Sequence, residues 1–257
     1  MGQHAAIVAV AALAGAFGRG DRAELASRAR RLPAATLATA IAGPDRAAAL
    51  AAIAAAPHSR APWALLDPLA RAARSTDRRR ASSAARAAAA IAADLTLDTL
   101  LAWEIDLDAV DRAARAWGDV AADPGLWPDV RVHALEARAA LGRAVAPAVE
   151  PPFARALLAD PEPEVRRAAF DLLAPPLSPE LLAVAAERAA TDPDPPVALA
   201  AAGAACAGLP LGADPAAVRA AFGDRGIARI RRLASGRDVA PDVAAGVSRC
   251  LREVAPR

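Results

Sequence analysis

Apolar side chains recur at helical spacing along this chain, and aspartates and prolines punctuate them. In DPEPEVRRAAFDLL, residues 160–173, Val165, Ala169 and Leu172 fall at i, i+4 and i+7 on one helix face, with Arg166, Arg167 and Asp171 pointing elsewhere. Asp160-Pro161 in front of it is a turn, because proline fixes its own φ, lacks an N–H and biases the residue before it away from the helix. The face returns downstream: Asp192 is followed five residues later by Val197, then Ala201 and Ala204, and Asp238 five residues later by Val243, then Val247 and Cys250. A looser copy lies upstream, where Asp123-Pro124 leads to Val130, Ala134 and Ala137.

Earlier segments carry the same punctuation. The pattern predicts helices over residues 21–32 and 34–42, then one N-capped by Asp45 that carries Leu50 and Ile53 and stops at Pro57. Another starts at Pro62 with Trp63, Leu66 and Leu69 or Ala70 in a stripe and Asp67-Pro68 as a kink or break, and Thr76-Asp77 opens one that ends near Asp94. The turn aspartates Asp45, Asp77, Asp123, Asp160, Asp192 and Asp238 are separated by 32, 46, 37, 32 and 46 residues, by subtraction. Two intervals are longer by about one short helix, an insertion that a solenoid tolerates at a hairpin loop. The first holds residues 97–105 and a helix from Asp106 to about Ala121; the second holds residues 214–222 and 226–234.

The turn aspartate and the Val-Arg pair resemble those of HEAT repeats, with the wider HEAT-like and armadillo class as the margin. DPEPEVRRAAFDLL carries the likeness best, followed by DPGLWPDVRVHALEARAAL and TDPDPPVALAAAGAACAGL, so that it covers residues 120–208 and extends elsewhere by periodicity. The resemblance implies an all-α fold, a right-handed superhelical stack of antiparallel helical hairpins of about six repeats. It implies one solenoid over 1–257: a divergent capping repeat at 1–57, repeats with an inserted helix at 58–122, the clearest repeats at 123–208 and a divergent cap at 209–257. In such repeats the turn Asp and the Arg after Val commonly bond between neighbours, making Asp123, Asp160, Arg131 and Arg166 scaffold residues. Ala198 and Ala244 stand where the arginine would follow Val197 and Val243, so the polar ladder is interrupted toward the C-terminus.

Composition changes this picture little. Hydrophobic residues make up 55% of the chain and aromatics 3%, so alanine carries the apolar count and favours closely packed helices. Lysine, asparagine and tyrosine are missing and all 31 basic side chains are arginine, as a GC-rich genome would produce. A net charge of +2 does not imply bulk nucleic-acid binding. The run from His4 to Phe17 is too short to span a bilayer as a helix. It reads as a capping helix in a cytoplasmic protein, or as part of a signal segment in an exported one, although neither Lys nor Arg precedes it. Cys206 and Cys250 occupy core-facing positions and read as buried small hydrophobes, a disulfide between them being possible.

Nucleotide-loop, G-x-S-x-G and H-E-x-x-H motifs are absent, and His4, His58 and His133 are scattered singly, so no catalytic, metal or cofactor site is expected. The unusual stretch runs from Asp94 to Trp127, where eight acids face Arg112 and Arg115, a balance of minus six up to Asp123. Trp103, Trp117 and Trp127, with Glu104, Asp106 and Asp108, could form an acid-rimmed groove for an Arg-rich peptide. Alternatively the tryptophans fill space left by the inserted helix while Asp98 and Asp106 cap helix starts. Asp106, Asp108 and Asp111 lack the glycine turn of a calcium loop.

Two basic blocks, with Arg78, Arg79 and Arg80 in one and Arg229, Arg231 and Arg232 in the other, could hold phosphates or be solvated faces, and no aromatics interleave with them. The expected function is a noncatalytic scaffold that binds a protein or peptide partner, with nucleic acid and membrane not expected as partners. The enzyme alternative is a HEAT-like DNA glycosylase, in which a tryptophan stacks on sugar and base and Glu104, Asp106 or Asp108 stabilises an oxocarbenium. A HEAT-like bilin lyase is a third reading, supported only by the shared repeat.

Overall fold

A computed structural model describes residues 2–145, 151–170, 173, 175, 177–237 and 239–255, with side chains from 8 to 144 and from 155 onward within those ranges. Asp171, Leu172 and Asp238 lie outside the described residues, as does the side chain of His4. The fold is all-α, with repeated helix pairs stacked as in a helical solenoid. It divides into two compact units, Met1–Ala148 and Val149–Arg257.

In the first unit the helices are α1 (Gly2–Gly18), α2 (Arg22–Ala29), α3 (Ala34–Ala42), α4 (Arg46–Ala55), α5 (Leu66–Ala73), α6 (Arg78–Asp94), α7 (Leu97–Ala102), α8 (Leu107–Ala122) and α9 (Pro128–Val145). The pairs α3/α4, α5/α6 and α8/α9 are hairpins, and they stack in two layers, α3 on α5 on α8 and α4 on α6 on α9. Helices α1 and α2 pack against α4 and bury Leu13, Ala16, Leu25 and Ala29. Pro62 opens a 3-10 turn, Pro62–Leu65, rather than an α-helix, which leaves Pro68 in the first turn of α5, where a missing N–H costs nothing. The insertion read from the long interval is α7, a six-residue helix set between α6 and α8.

The second unit repeats the plan with α10 (Pro151–Leu158), α11 (Pro163–Ala169), α12 (Pro179–Thr191), α13 (Pro195–Cys206), α14 (Pro215–Ala234) and α15 (Pro241–Val254). Here α10, α12 and α14 form one layer and α11, α13 and α15 the other. The break expected between residues 222 and 226 is Gly223, whose φ of 61° and ψ of 168° interrupt α14. Only glycine adopts that conformation at no steric cost. The recurring Val-Ala face is core: Val130, Ala134, Val165, Ala169, Val197 and Ala201 are all buried. Its last copy departs, since Val243 is 38% exposed at the start of α15 while Val247 and Cys250 remain buried.

The turns carry the polar order. Asp45 and Asp77 N-cap α4 and α6, and Arg46 at the start of α4 reaches Asp77 of the next hairpin at 2.5 Å. In the second unit Arg166 takes the role that the repeat pattern gave it. Its Nε and Nη2 donate to the Asp192 carboxylate at 2.8 and 2.9 Å, and its Nη1 to the carbonyls of Asp160 and Pro161 at 2.8 and 3.0 Å. Asp192 is fully buried and is not the cap of α13. That role falls to Asp194, which accepts from the Val197 N–H, while Asp192 accepts from the Asp194 N–H. Arg131 is buried likewise, with its Nε donating to the Ala121 carbonyl at 2.9 Å. Beyond Asp192 the ladder changes hands: Arg229, from α14, caps the carboxyl end of α12 by donating to Ala189 O at 2.7 Å and to Asp192 O.

Cys206 and Cys250 are joined as a disulfide, with Cα atoms 5.8 Å apart, tying α13 to α15 across 44 residues of chain. The two therefore form a bridge rather than serving as separate small hydrophobes, Cys250 buried and Cys206 half-buried, where helices of one layer meet. Closing a loop of that length limits the unfolded chain and contributes about 4 kcal/mol in the chain-entropy view. Cys206→Ser or a reductant is therefore expected to lower the urea midpoint of the isolated transition that reports this unit, by denaturation with and without reductant.

Burial pushes the Asp192 carboxyl up, but the Arg166 guanidinium and the Asp194 N–H outweigh it and hold the group below its usual 3.8. A carboxylate depressed in the folded state contributes stability above its unfolded pKa and loses it as pH falls through the folded value. Arg166→Met strands a buried charge and is expected to cost about 3–5 kcal/mol near neutral pH. Without Arg166, burial raises the Asp192 carboxyl, so the variant takes up a proton at a higher pH than wild type and the gap should narrow as pH falls from that raised value to the lowered wild-type one; urea titrations across the acid range measure it.

Candidate functional site

The acidic tryptophan stretch is built on α7 and the first turns of α8. Thr96, not Asp98, caps α7, its hydroxyl accepting from the Thr99 N–H at 3.2 Å, and Asp106 caps α8 by accepting from the Asp108 N–H at 3.0 Å. Helix α7 ends in a Schellman turn: the Ile105 N–H reaches the Leu100 carbonyl at 2.9 Å and the Glu104 N–H the Leu101 carbonyl at 3.2 Å. Glu104 sits at the left-handed position of that turn, with φ of 51°, the positive-φ non-glycine residue of the described chain. Glycine is the usual occupant, and a side chain there costs about 1 kcal/mol.

The three tryptophans separate. Trp103 is 50% exposed and rests on Trp63, their ring centroids 5.0 Å apart and their planes tilted by 34°. Trp117 is fully buried in the face of α8 that also buries Val110, Ala114 and Ala121, and its indole N–H has no hydrogen-bond partner. Trp127 is half-buried in the turn before α9, beyond the far end of α8, a helix about 24 Å long. Trp117 thus fills space within the hairpin, whereas Trp103 stands at the surface. Trp63, the partner of Trp103, lies forty residues earlier in a helical stripe, and that separation hides the pair from a sequence pattern.

Around Trp103 the surface is apolar and acidic together. Leu97 and Leu101, one turn apart on α7, are 48% and 62% exposed, and Leu107 at the start of α8 is 42% exposed. Asp98, Glu104, Asp106 and Asp108 are exposed beside them. Arg112 pairs with Asp106 at 3.4 Å, and Arg115 pairs with Asp111, so the remaining carboxylates of the patch carry its net charge. Among the described residues no group of three His, Cys, Asp or Glu is placed to hold a metal ion.

The basic blocks are used in packing. Arg78 pairs with Asp129 of α9 at 3.3 Å, Arg74 with Asp123 at 3.4 Å, and half-buried Arg80 donates to the Ile41 carbonyl at the end of α3. Arg229 caps α12, while Arg79, Arg231 and Arg232 are exposed. Acids distant in sequence thus pair with Arg74 and Arg78 of the first block. His133 is half-buried and bonds Glu136 at 2.7 Å.

No family model matches the chain, and no curated protein matches it. Among solved structures it is similar to a chain from one described as "Structural Basis of Microtubule Plus End Tracking by XMAP215, CLIP-170 and EB1", at 16% identity over 76% of each chain and a TM-score of 0.40. Among the described residues no helix is long and apolar enough to cross a membrane.

The two environments predict opposite responses to truncation. Trp117→Ala should destabilise the fold by about 3–5 kcal/mol through the cavity it leaves. Trp103→Ala should cost about 0.5–1.5 kcal/mol, the worth of the ring pair, and remove the near-ultraviolet circular dichroism of the stacked indoles.

Proposed function

We propose that the chain is a noncatalytic scaffold of the HEAT-like class, a right-handed solenoid of about six hairpins, and that it binds a protein segment rich in arginine and apolar side chains. The observation that carries this reading is the exposed set of Leu97, Leu101, Trp103 and Leu107 beside unneutralised carboxylates. Exposed apolar side chains that cluster mark interaction surfaces, and indole and leucine supply contact area at low entropic cost. The acids select the sign of the partner and raise its rate of encounter. They also disfavour nucleic acid, whose phosphates they repel.

Trp117 has no part in this surface, and Trp127 stands apart from it; the binding set reduces to Leu97, Leu101, Trp103, Glu104, Asp106, Leu107 and Asp108. The glycosylase reading is weaker for the same reasons. A buried Trp117 cannot stack on a base, and Glu104, Asp106 and Asp108 lie in water, where a carboxylate stabilises an oxocarbenium little. The disulfide between α13 and α15 favours the exported alternative over the cytoplasm, since such bonds persist in oxidising compartments.

A fluorescein-labelled peptide with leucines at i and i+4 flanked by arginines tests the proposal, with its glutamate counterpart as control. Anisotropy should show the arginine peptide binding, weakening as salt rises. Leu101→Asp should abolish binding without unfolding the chain. Glu104→Gly should stabilise the fold by about 1 kcal/mol, by relieving the left-handed glutamate, while weakening binding. Equal binding of both peptides, or unchanged affinity in Leu101→Asp, would refute the site.

A further inference from the structure

The first unit holds a second surface feature that differs from the acidic patch in sign and shape. A cleft of about 800 Å³ opens where α2, α4 and α6 meet the 3-10 turn Ala56–His58. Its wall is apolar, with Phe17 at the end of α1, Leu25 on α2, Leu50 and Ile53 on α4 and Ala87 on α6. That volume lies within the range of about 300–1,000 Å³ typical of small-molecule sites, and such sites combine apolar walls with few polar groups.

The polar groups here include two arginines. Arg22 at the start of α2, Arg86 on α6 and His58 line the mouth, with Asp21 and Ser83. Asp21 already accepts from the Glu24 N–H at 2.9 Å as the cap of α2. The nearby acid Glu24 is held by Arg19 and Arg28, at 2.6 and 2.5 Å, and its carboxyl lies below its usual 4.5 because of those two partners, Arg28 foremost. Arg22 and Arg86 make no ion pair or hydrogen bond with the described residues, and both are exposed. Of the other arginines in this unit, Arg46, Arg71, Arg74 and Arg78 each have a carboxylate, and the unpaired Arg30, Arg31, Arg60 and Arg79 do not line the cleft. Two unpaired guanidiniums at the mouth of an apolar cleft match a ligand with an apolar tail and an anionic head, because a guanidinium meets a carboxylate with two parallel hydrogen bonds.

We infer that this cleft binds a small amphipathic carboxylate of the medium-chain fatty-acid type, its tail along Phe17, Leu50 and Ile53 and its head between Arg22 and Arg86. The occupant is a free molecule in solution with a single alkyl tail.

Isothermal titration calorimetry with decanoate below its micelle concentration tests this, with decanol as the neutral probe and decyltrimethylammonium as the cationic one. Decanoate should bind about tenfold more tightly than decanol, the usual advantage of a charge-assisted hydrogen bond, and the cation should not bind. Arg22→Gln with Arg86→Gln, both at exposed positions without partners, should leave circular dichroism unchanged and bring decanoate down to the affinity of decanol. Ala90→Phe, at an exposed position on the rim, should weaken both probes at least tenfold by filling the cleft. Decanoate and decanol binding alike, no decanoate binding at millimolar concentration, or unchanged decanoate affinity in the double arginine variant would overturn the assignment. The acidic patch on α7 shares none of these residues, so failure here leaves the peptide site standing.

Discussion

The bidentate contact between Arg166 and Asp192 fixes how neighbouring hairpins of the second unit sit on one another. Helices as rich in alanine as these present smooth faces, and small side chains alone would allow a hairpin to slide along the one before it. A guanidinium that holds the carbonyls of its own turn and the carboxylate of the next turn permits one register. Buried charge is costly to remove from water, and here the cost is offset because both carboxylate oxygens of Asp192 find donors, Arg166 on each and the Asp194 N–H on one. The first unit meets the same need at its surface, where Arg46 reaches Asp77, so the pairing there guides the register with less energy at stake.

Alanine cores set a second constraint, the close approach of helices. Ala49, Ala52, Ala81, Ala84, Ala85 and Ala88 have no exposed surface in the layer formed by α4 and α6. With so little volume per residue, a large side chain is admitted only where the stack is locally wider. Trp117 is the large side chain that α8 admits, fully buried with an indole N–H that has no partner, so it contributes volume rather than a polar contact. Gly118 beside it leaves room for Arg138, which crosses α8 to the Ala114 carbonyl at 3.0 Å.

Much of the architecture was legible from the chain because it is local. Prolines and capping aspartates fix where helices start, and the limits of α3, α4, α6 and the break in α14 follow from them. The Val-Arg pair was informative as well, since Arg166 lies where the pattern puts a bridging cation. What escaped was pairing between residues distant in sequence. Asp129 and Asp123 neutralise arginines about fifty positions earlier, Trp63 meets Trp103, and Cys206 meets Cys250, none of which has a local signature. The burial of Trp117 was recoverable, for Val110, Ala114, Trp117 and Ala121 follow one another at i, i+4, i+7 and i+11, the same stripe that marks core elsewhere.

Agreement between local preference and structure is common along the described chain, and although Val8, Leu211 and Val243 are also exposed, four exposed large apolar side chains gather in one place. Within a dozen residues, α7 and its turns combine a glutamate in a conformation suited to glycine, two leucines and a tryptophan turned to solvent, and carboxylates without enough cations. Each feature opposes stability, and a chain selected for folding alone would replace them readily: glycine at 104 and polar residues at 97, 101 and 103 fit the same backbone. A helix of six residues also buries too little, Leu100 alone, to be kept for the core it adds. Natural sequences break local rules chiefly where something other than the fold is at stake. On the function proposed above, the insertion that lengthens the repeat at this point is the part of the molecule shaped by a protein partner, carried on helices that pack largely through alanine.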